Sequence, residues 1–120
     1  MRLKTAATFF LVGMCCVLPA WADSYAGHMQ ITTLRAIGTN NIYVGLALPP
    51  SDTCTNFGEH LVFDYTTDNG KAIFSALLAA QAADKDFDIW YSASTAPGSD
   101  QSTGCTGAAV SVLHQVRIRT

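Results

Sequence analysis

Leu61-Val62-Phe63-Asp64-Tyr65-Thr66, then Asp68-Asn69-Gly70 opening an alanine-rich run to Ala83, then Phe87-Asp88-Ile89-Trp90-Tyr91, is the stretch in which apolar spacing changes twice. In the first segment Leu61, Phe63 and Tyr65 share a face, which is the period of a strand. From about Gly70 to Ala83 the period lengthens. Ile73, Phe74, Leu77 and Leu78 form a helical stripe, alanines fill much of the rest, and Asp68-Asn69 offers N-cap side chains. Asp84-Lys85-Asp86 ends the helix, and period two returns with Phe87, Ile89 and Tyr91 on one face and Asp88 and Trp90 on the other.

N-terminal to this stretch, His28 to Ile37 alternates, with Met29, Ile31 and Thr33 opposite His28, Gln30 and Thr32, and reads as one strand. Gly38-Thr39-Asn40-Asn41 is a turn by composition, and Ile42 to Leu48 is a second strand with Ile42, Val44, Leu46 and Leu48 on its core face. Pro49-Pro50 ends it, because proline cannot donate to a ladder. After Tyr91 a small, polar loop runs from Ser92 to Gly107, with Pro97-Gly98 at its turn. The last strand places Val110, Val112, His114, Val116 and Ile118 inward and Ser111, Gln115, Arg117 and Arg119 outward. The order β-β-β-α-β-β predicts a mainly β fold with one helix, an OB-fold-like five-stranded barrel. A generic α+β sheet with one packed helix has the same order.

The N-terminus carries Arg2 and Lys4, then no charge from Thr5 to Ala22. Phe9 to Leu18 is an apolar core, Pro19 breaks it, and Ala20-Trp21-Ala22 presents small residues where a signal peptidase reads. The run is shorter than the roughly 20 residues a spanning helix needs. Residues 1–22 are therefore expected to be a cleaved signal peptide, residues 23–120 a single domain, and the protein secreted or periplasmic. No stable membrane anchor is expected.

Cleavage leaves 98 of the 120 residues. Losing Arg2 and Lys4 from seven basic residues leaves five against nine acidic ones, a net charge of −4. An acidic domain whose only close basic pair is Arg117 and Arg119 argues against nucleic acid and anionic membrane. Cys15 and Cys16 leave with the signal, so Cys54 and Cys105 remain to pair in an oxidising compartment.

No stretch carries a catalytic or cofactor motif. His28, His60 and His114 fall on three different strands, with no H-x-x-x-H or C-x-x-C to link them as metal ligands. His114, inward on an apolar face, reads as a hydrogen-bonded core histidine. There is no G-x-S-x-G elbow, and Asp84, Asp86 and Asp88 cluster at a helix-to-strand turn of the kind that is usually solvated. The expectation is a non-enzyme without cofactor or metal. Ligand binding falls to Trp90, Tyr43 and Asp88, because Trp90 and Tyr43 oppose the core faces of their strands. The alternative for Trp90 is that the second face packs on the helix and makes it core.

Gly27-His28-Met29-Gln30-Ile31-Thr32 through Gly38 and Tyr43 resembles the first hairpin of bacterial toxin B subunits of the subtilase-cytotoxin and pertussis-like group. Leu77-Leu78 through Ala82, Lys85 and Ile89-Trp90-Tyr91 resembles their helix and following strand, so the likeness spans most of residues 23–120. The chain is also similar to small uncharacterised secreted proteins of Gram-negative bacteria. The toxin resemblance implies a non-enzymatic OB-fold module that binds host glycans and assembles as a homo-oligomeric, five-fold ring. Ala26 stands where those subunits place a serine that contacts sialic acid, so the resemblance implies glycan binding without implying that sugar. A reading of another class is a periplasmic inhibitor or immunity protein that inserts the loop 92–107 into a protein partner, with Cys105 reducing the entropy cost of binding.

Overall fold

Among the described residues the alternating segments of the sequence become strands, and the helical stripe becomes a helix. The computed structural model describes residues 23–38 and 40–120. The expected signal, residues 1–22 with Cys15 and Cys16, lies outside the described residues, as does Thr39. The strands are β1 (Ser24–Met29), β2 (Ile31–Ile37), β3 (Asn41–Leu46), β4 (Leu61–Asp64), β5 (Phe87–Tyr91) and β6 (Ser111–Ile118), with α1 (Asp68–Ala82) between β4 and β5. Short 3₁₀ turns cover Gln101–Thr103 and Gly107–Ala109.

The fold is mainly β with one helix, as the spacing predicts. The strand count is corrected from five to six, and the expected closed barrel to one open mixed sheet in the order β1-β5-β6-β4-β3-β2. Only β4 and β6 pair in parallel; the other neighbours are antiparallel. The extra strand arises where His28–Ile37 breaks. His28 adopts φ 59°, and the β1–β5 register slips between Ala26 and Met29. The Gln30 carbonyl then accepts from the Ala47 N–H at 3.0 Å, and Ile31 begins to pair with Leu46. Consecutive strands thus serve opposite ends of the sheet. Local alternation fixes the face of each residue but not the partner of each half.

One sheet face and α1 enclose the main core, in which Val44, Leu61, Leu77, Phe87 and Ile89 are fully buried. Thr67, rather than Asp68 or Asn69, caps the helix: its Oγ1 accepts from the Gly70 N–H at 2.8 Å. Gly70 is needed there, because a Cβ would lie 1.8 Å from the Asp64 carbonyl oxygen. At the other end Asp84 turns the chain out of the helix at φ 54°.

The last strand departs from simple alternation. Trp90 faces Gln115 while Tyr91 faces Leu113, so His114 is an extra, bulged residue. The bulge inverts the faces upstream of it. Leu113 and Ser111 are buried, and Val112, expected inward, is exposed. His114 is half-buried rather than core.

A smaller cluster forms on the outer face of β3 and β4, where Cys54, Cys105 and Val110 pack with Tyr43, Val62, Ala96 and Ala109. The expected Cys54–Cys105 disulfide is present. Around it the Thr55 N–H donates to the Gly98 carbonyl at 2.7 Å and the Gly98 N–H to the Thr53 carbonyl at 3.1 Å. Tyr91 donates its hydroxyl to Asp52 at 2.5 Å, tying the same loop to β5. The segment 92–107 is thereby fastened at several points. No helix among the described residues is long and apolar enough to cross a membrane.

Candidate functional site

Asp88 and Trp90 share the outer face of β5, as the alternation predicts, and strand pairing supplies their neighbours. Arg117 lies opposite Asp88 on β6, and Tyr25 lies opposite Trp90 on β1. The Asp88 carboxylate is fully buried. Its Oδ2 accepts from Arg117 Nε at 2.9 Å and Nη2 at 2.5 Å, and its Oδ1 from Arg119 Nε at 2.7 Å and the His28 backbone N–H at 3.3 Å. Burial alone would push the Asp88 carboxyl upward. The hydrogen bonds from Arg117, Arg119 and His28 outweigh it and hold the group well below the usual carboxylate range.

This buried acid orders two exposed cations. The Arg117 and Arg119 side chains keep 60% and 39% of their surface in solvent. The Arg117 guanidinium sits 5.3 Å from the Trp90 ring centre, and the Tyr25 ring packs against Trp90 at 5.0 Å with a 54° tilt. Arg119 Nη2 reaches the Tyr25 hydroxyl at 3.4 Å. A Cβ at Gly27 would fall 2.8 Å from that hydroxyl and 3.0 Å from Asp88 Oδ1, so the cluster closes over a glycine. Trp90 is half-buried, and Tyr25, at 49% exposure, is the more open of the two rings. Beside them, Asp86 accepts from Gln30 at 2.9 Å and contacts His28 Nδ1 at 3.3 Å; these hydrogen bonds keep its carboxyl below the usual range.

Tyr43 is not part of this group. It lies on β3, with β6 and β4 between it and β5. Its neighbour is Arg35, whose guanidinium is 5.4 Å from the Tyr43 ring centre and pairs in bidentate fashion with buried Glu59. The three proposed ligand residues therefore fall on two patches: Trp90 and Asp88 on one, Tyr43 on the other. Sequence reasoning passes over Tyr25, Gly27, Arg117 and Arg119 as site residues. The available signal is the outward spacing of Arg117 and Arg119 on one strand, opposite an acid on another.

The histidines separate. His60 is buried, and its Nδ1 accepts from the Leu46 N–H at 2.9 Å. His114 Nε2 lies 2.7 Å from Ser92 Oγ, a pairing that local motifs do not reveal. Asp23 Oδ1 stands 3.8 Å from that same nitrogen. In a catalytic triad the acid holds the other ring nitrogen, so the arrangement differs from one. No group of three or more metal-capable side chains converges among the described residues.

No protein-family model, curated protein or solved structure matches this chain.

Proposed function

We propose that this chain is an exported, non-enzymatic recognition module that binds a glycan on the Tyr25–Trp90–Arg117–Arg119 face. The observation that carries this reading is the buried Asp88 holding two solvent-facing arginines beside an open tyrosine ring. A sugar ring has an apolar face that stacks on an aromatic plate and a rim of hydroxyls that accept from fixed donors. Guanidinium groups fixed in this way lose little freedom on binding. The disulfide and the signal-like N-terminus favour a secreted or periplasmic location.

The strand arrangement supports an OB-like architecture. Counting β1 and β2 as one strand broken at Gln30 leaves five, with the helix between the third and fourth, the parallel pair between the third and fifth, and both ends of the sheet on one continuous segment. OB folds commonly bind oligosaccharides. That architecture and the hairpin resemblance together favour the toxin B-subunit type of module, including its five-fold ring.

The test is a glycan array probed with the purified disulfide-bonded protein and with Tyr25→Ala and Trp90→Ala. A bound glycan lost in Tyr25→Ala, with the thermal melt little changed, is the expected result. Binding that survives both substitutions removes the proposed face. A stoichiometric protein partner in place of any glycan moves the protein to the inhibitor class.

A further inference from the structure

Asn56-Phe57-Gly58-Glu59 is a two-residue hairpin turn. The Asn56 and Glu59 backbones exchange N–H···O bonds of 3.0 Å each way, and Phe57 and Gly58 both take positive φ, 55° and 78°. Turns of this kind favour Asn, Asp or Gly at both central positions, because a bulky side chain is strained there. Phe57 is strained and also 81% exposed, so it gains neither backbone comfort nor burial. Strain of this sort marks positions held for what the side chain does.

The ring of Phe57 stands over a built groove. Arg35 lies with its guanidinium carbon 6.0 Å from the Phe57 ring centre and 5.4 Å from that of Tyr43. The space between these rings and the facing loop measures about 350 Å³ and is bordered by Asn56, Gln101 and Thr106. It adjoins a second space of about 350 Å³ along Val62 and Val112, and the two share Tyr43 and Gly107. The disulfide cross-links the two walls, since Cys54 belongs to the Phe57 side and Cys105 to the Thr106 side. The groove is thus set in shape before any ligand arrives.

We infer that this groove is a second saccharide subsite, distinct from the Tyr25–Trp90 face, and that it takes a neutral sugar ring. The inference rests on the glycan-binding reading and extends it to a second place on the molecule. The exposed Phe57 ring suits the apolar face of a pyranose, with Arg35 stacked between it and Tyr43 to fix its position, and the amide and hydroxyl side chains of Asn56, Gln101 and Thr106 suit the sugar's rim. Charge selects against an acidic sugar, because buried Glu59 already neutralises Arg35.

The test titrates the purified disulfide-bonded protein with methyl glycosides of glucose, galactose and mannose and follows backbone amides by NMR. One glycoside is expected to shift Phe57, Thr106 and Gly107. Phe57→Gly should weaken that response about tenfold, without lowering the melting temperature, because glycine accepts the turn geometry. Trp90→Ala should leave it unchanged. Groove amides silent to every glycoside, or a Phe57→Gly protein that responds like the parent, overturn the inference. If Tyr25 and Trp90 respond while the groove stays silent, only the second subsite falls. Silence at both places removes the glycan reading itself.

Discussion

Asp88 and Arg117 face each other across the β5–β6 pair, and the buried carboxylate accepts from Arg117 Nε at 2.9 Å. The pair joins the interior of the sheet to its proposed ligand face. Removing both cations takes away the charged donors that hold the Asp88 carboxylate. Arg117→Ala combined with Arg119→Ala should lower the urea-unfolding midpoint, and adding Asp88→Asn should recover part of that loss. If the triple variant is no more stable than the double, Asp88 is not the strained partner.

The same carboxylate sets an acid limit. Its folded value lies below that of the unfolded chain, so its contribution is fully present above about pH 4 and is lost as pH falls through the folded value. Asp88→Asn should be less stable than the parent at neutral pH, and the difference should shrink in strong acid. Chemical unfolding across that range measures it.

His60 acts at milder pH. Burial lowers its pKa from the ordinary value, and its Nδ1 must stay unprotonated to accept from Leu46. Above about pH 6.5 the ring is neutral in both folded and unfolded chains and contributes no slope. Below that, the unfolded chain takes a proton that the folded chain resists, so stability falls as pH falls. His60→Gln should remove this slope below about pH 6.5 in a melting series. An unchanged slope would assign it to another group.

Gly70→Ala opposes helix propensity. Alanine in a helix is favoured over glycine by about 1 kcal/mol. Here the new Cβ meets the Asp64 carbonyl oxygen at 1.8 Å, so backbone must move and the Thr67 cap with it. The net effect should be a loss of about 1–3 kcal/mol. A stabilised variant would show that the start of α1 is free to shift.

The 51-residue separation of Cys54 and Cys105 makes the disulfide a large contributor. Replacing both by serine should cost about 4 kcal/mol by the loop-closure argument. It should also weaken any groove response more than any response at Tyr25, because the walls are no longer joined.

Legibility followed the range of the interactions. The helix, the faces of β4 and β5 and the pairing of two remaining cysteines rest on local spacing or on elimination, and the sequence carries both. Trp90 and Asp88 could be placed on one outer face for the same reason. The break at Gln30 and the bulge at His114 depend on which distant strand each segment meets, and alternation says nothing of that. Tyr25 becomes a site residue only through its register with Trp90. Phe57 is the hardest case, since its significance lies in a backbone angle that side-chain pattern does not encode.

The one-residue link at Gln30 also governs the order in which the chain can assemble. β1, nearest the N-terminus of the described residues, has a single ladder partner, β5, and the contact from His28 to Asp88 spans 60 residues. β2 has its neighbour close at hand in β3, so it can zip while β1 still waits. Such long-range closure is slow, because chain entropy must be lost before the contact returns anything. The topology thus predicts that Tyr25 docks onto Trp90 late on the folding route, with the edge of β5 left unpaired in the meantime.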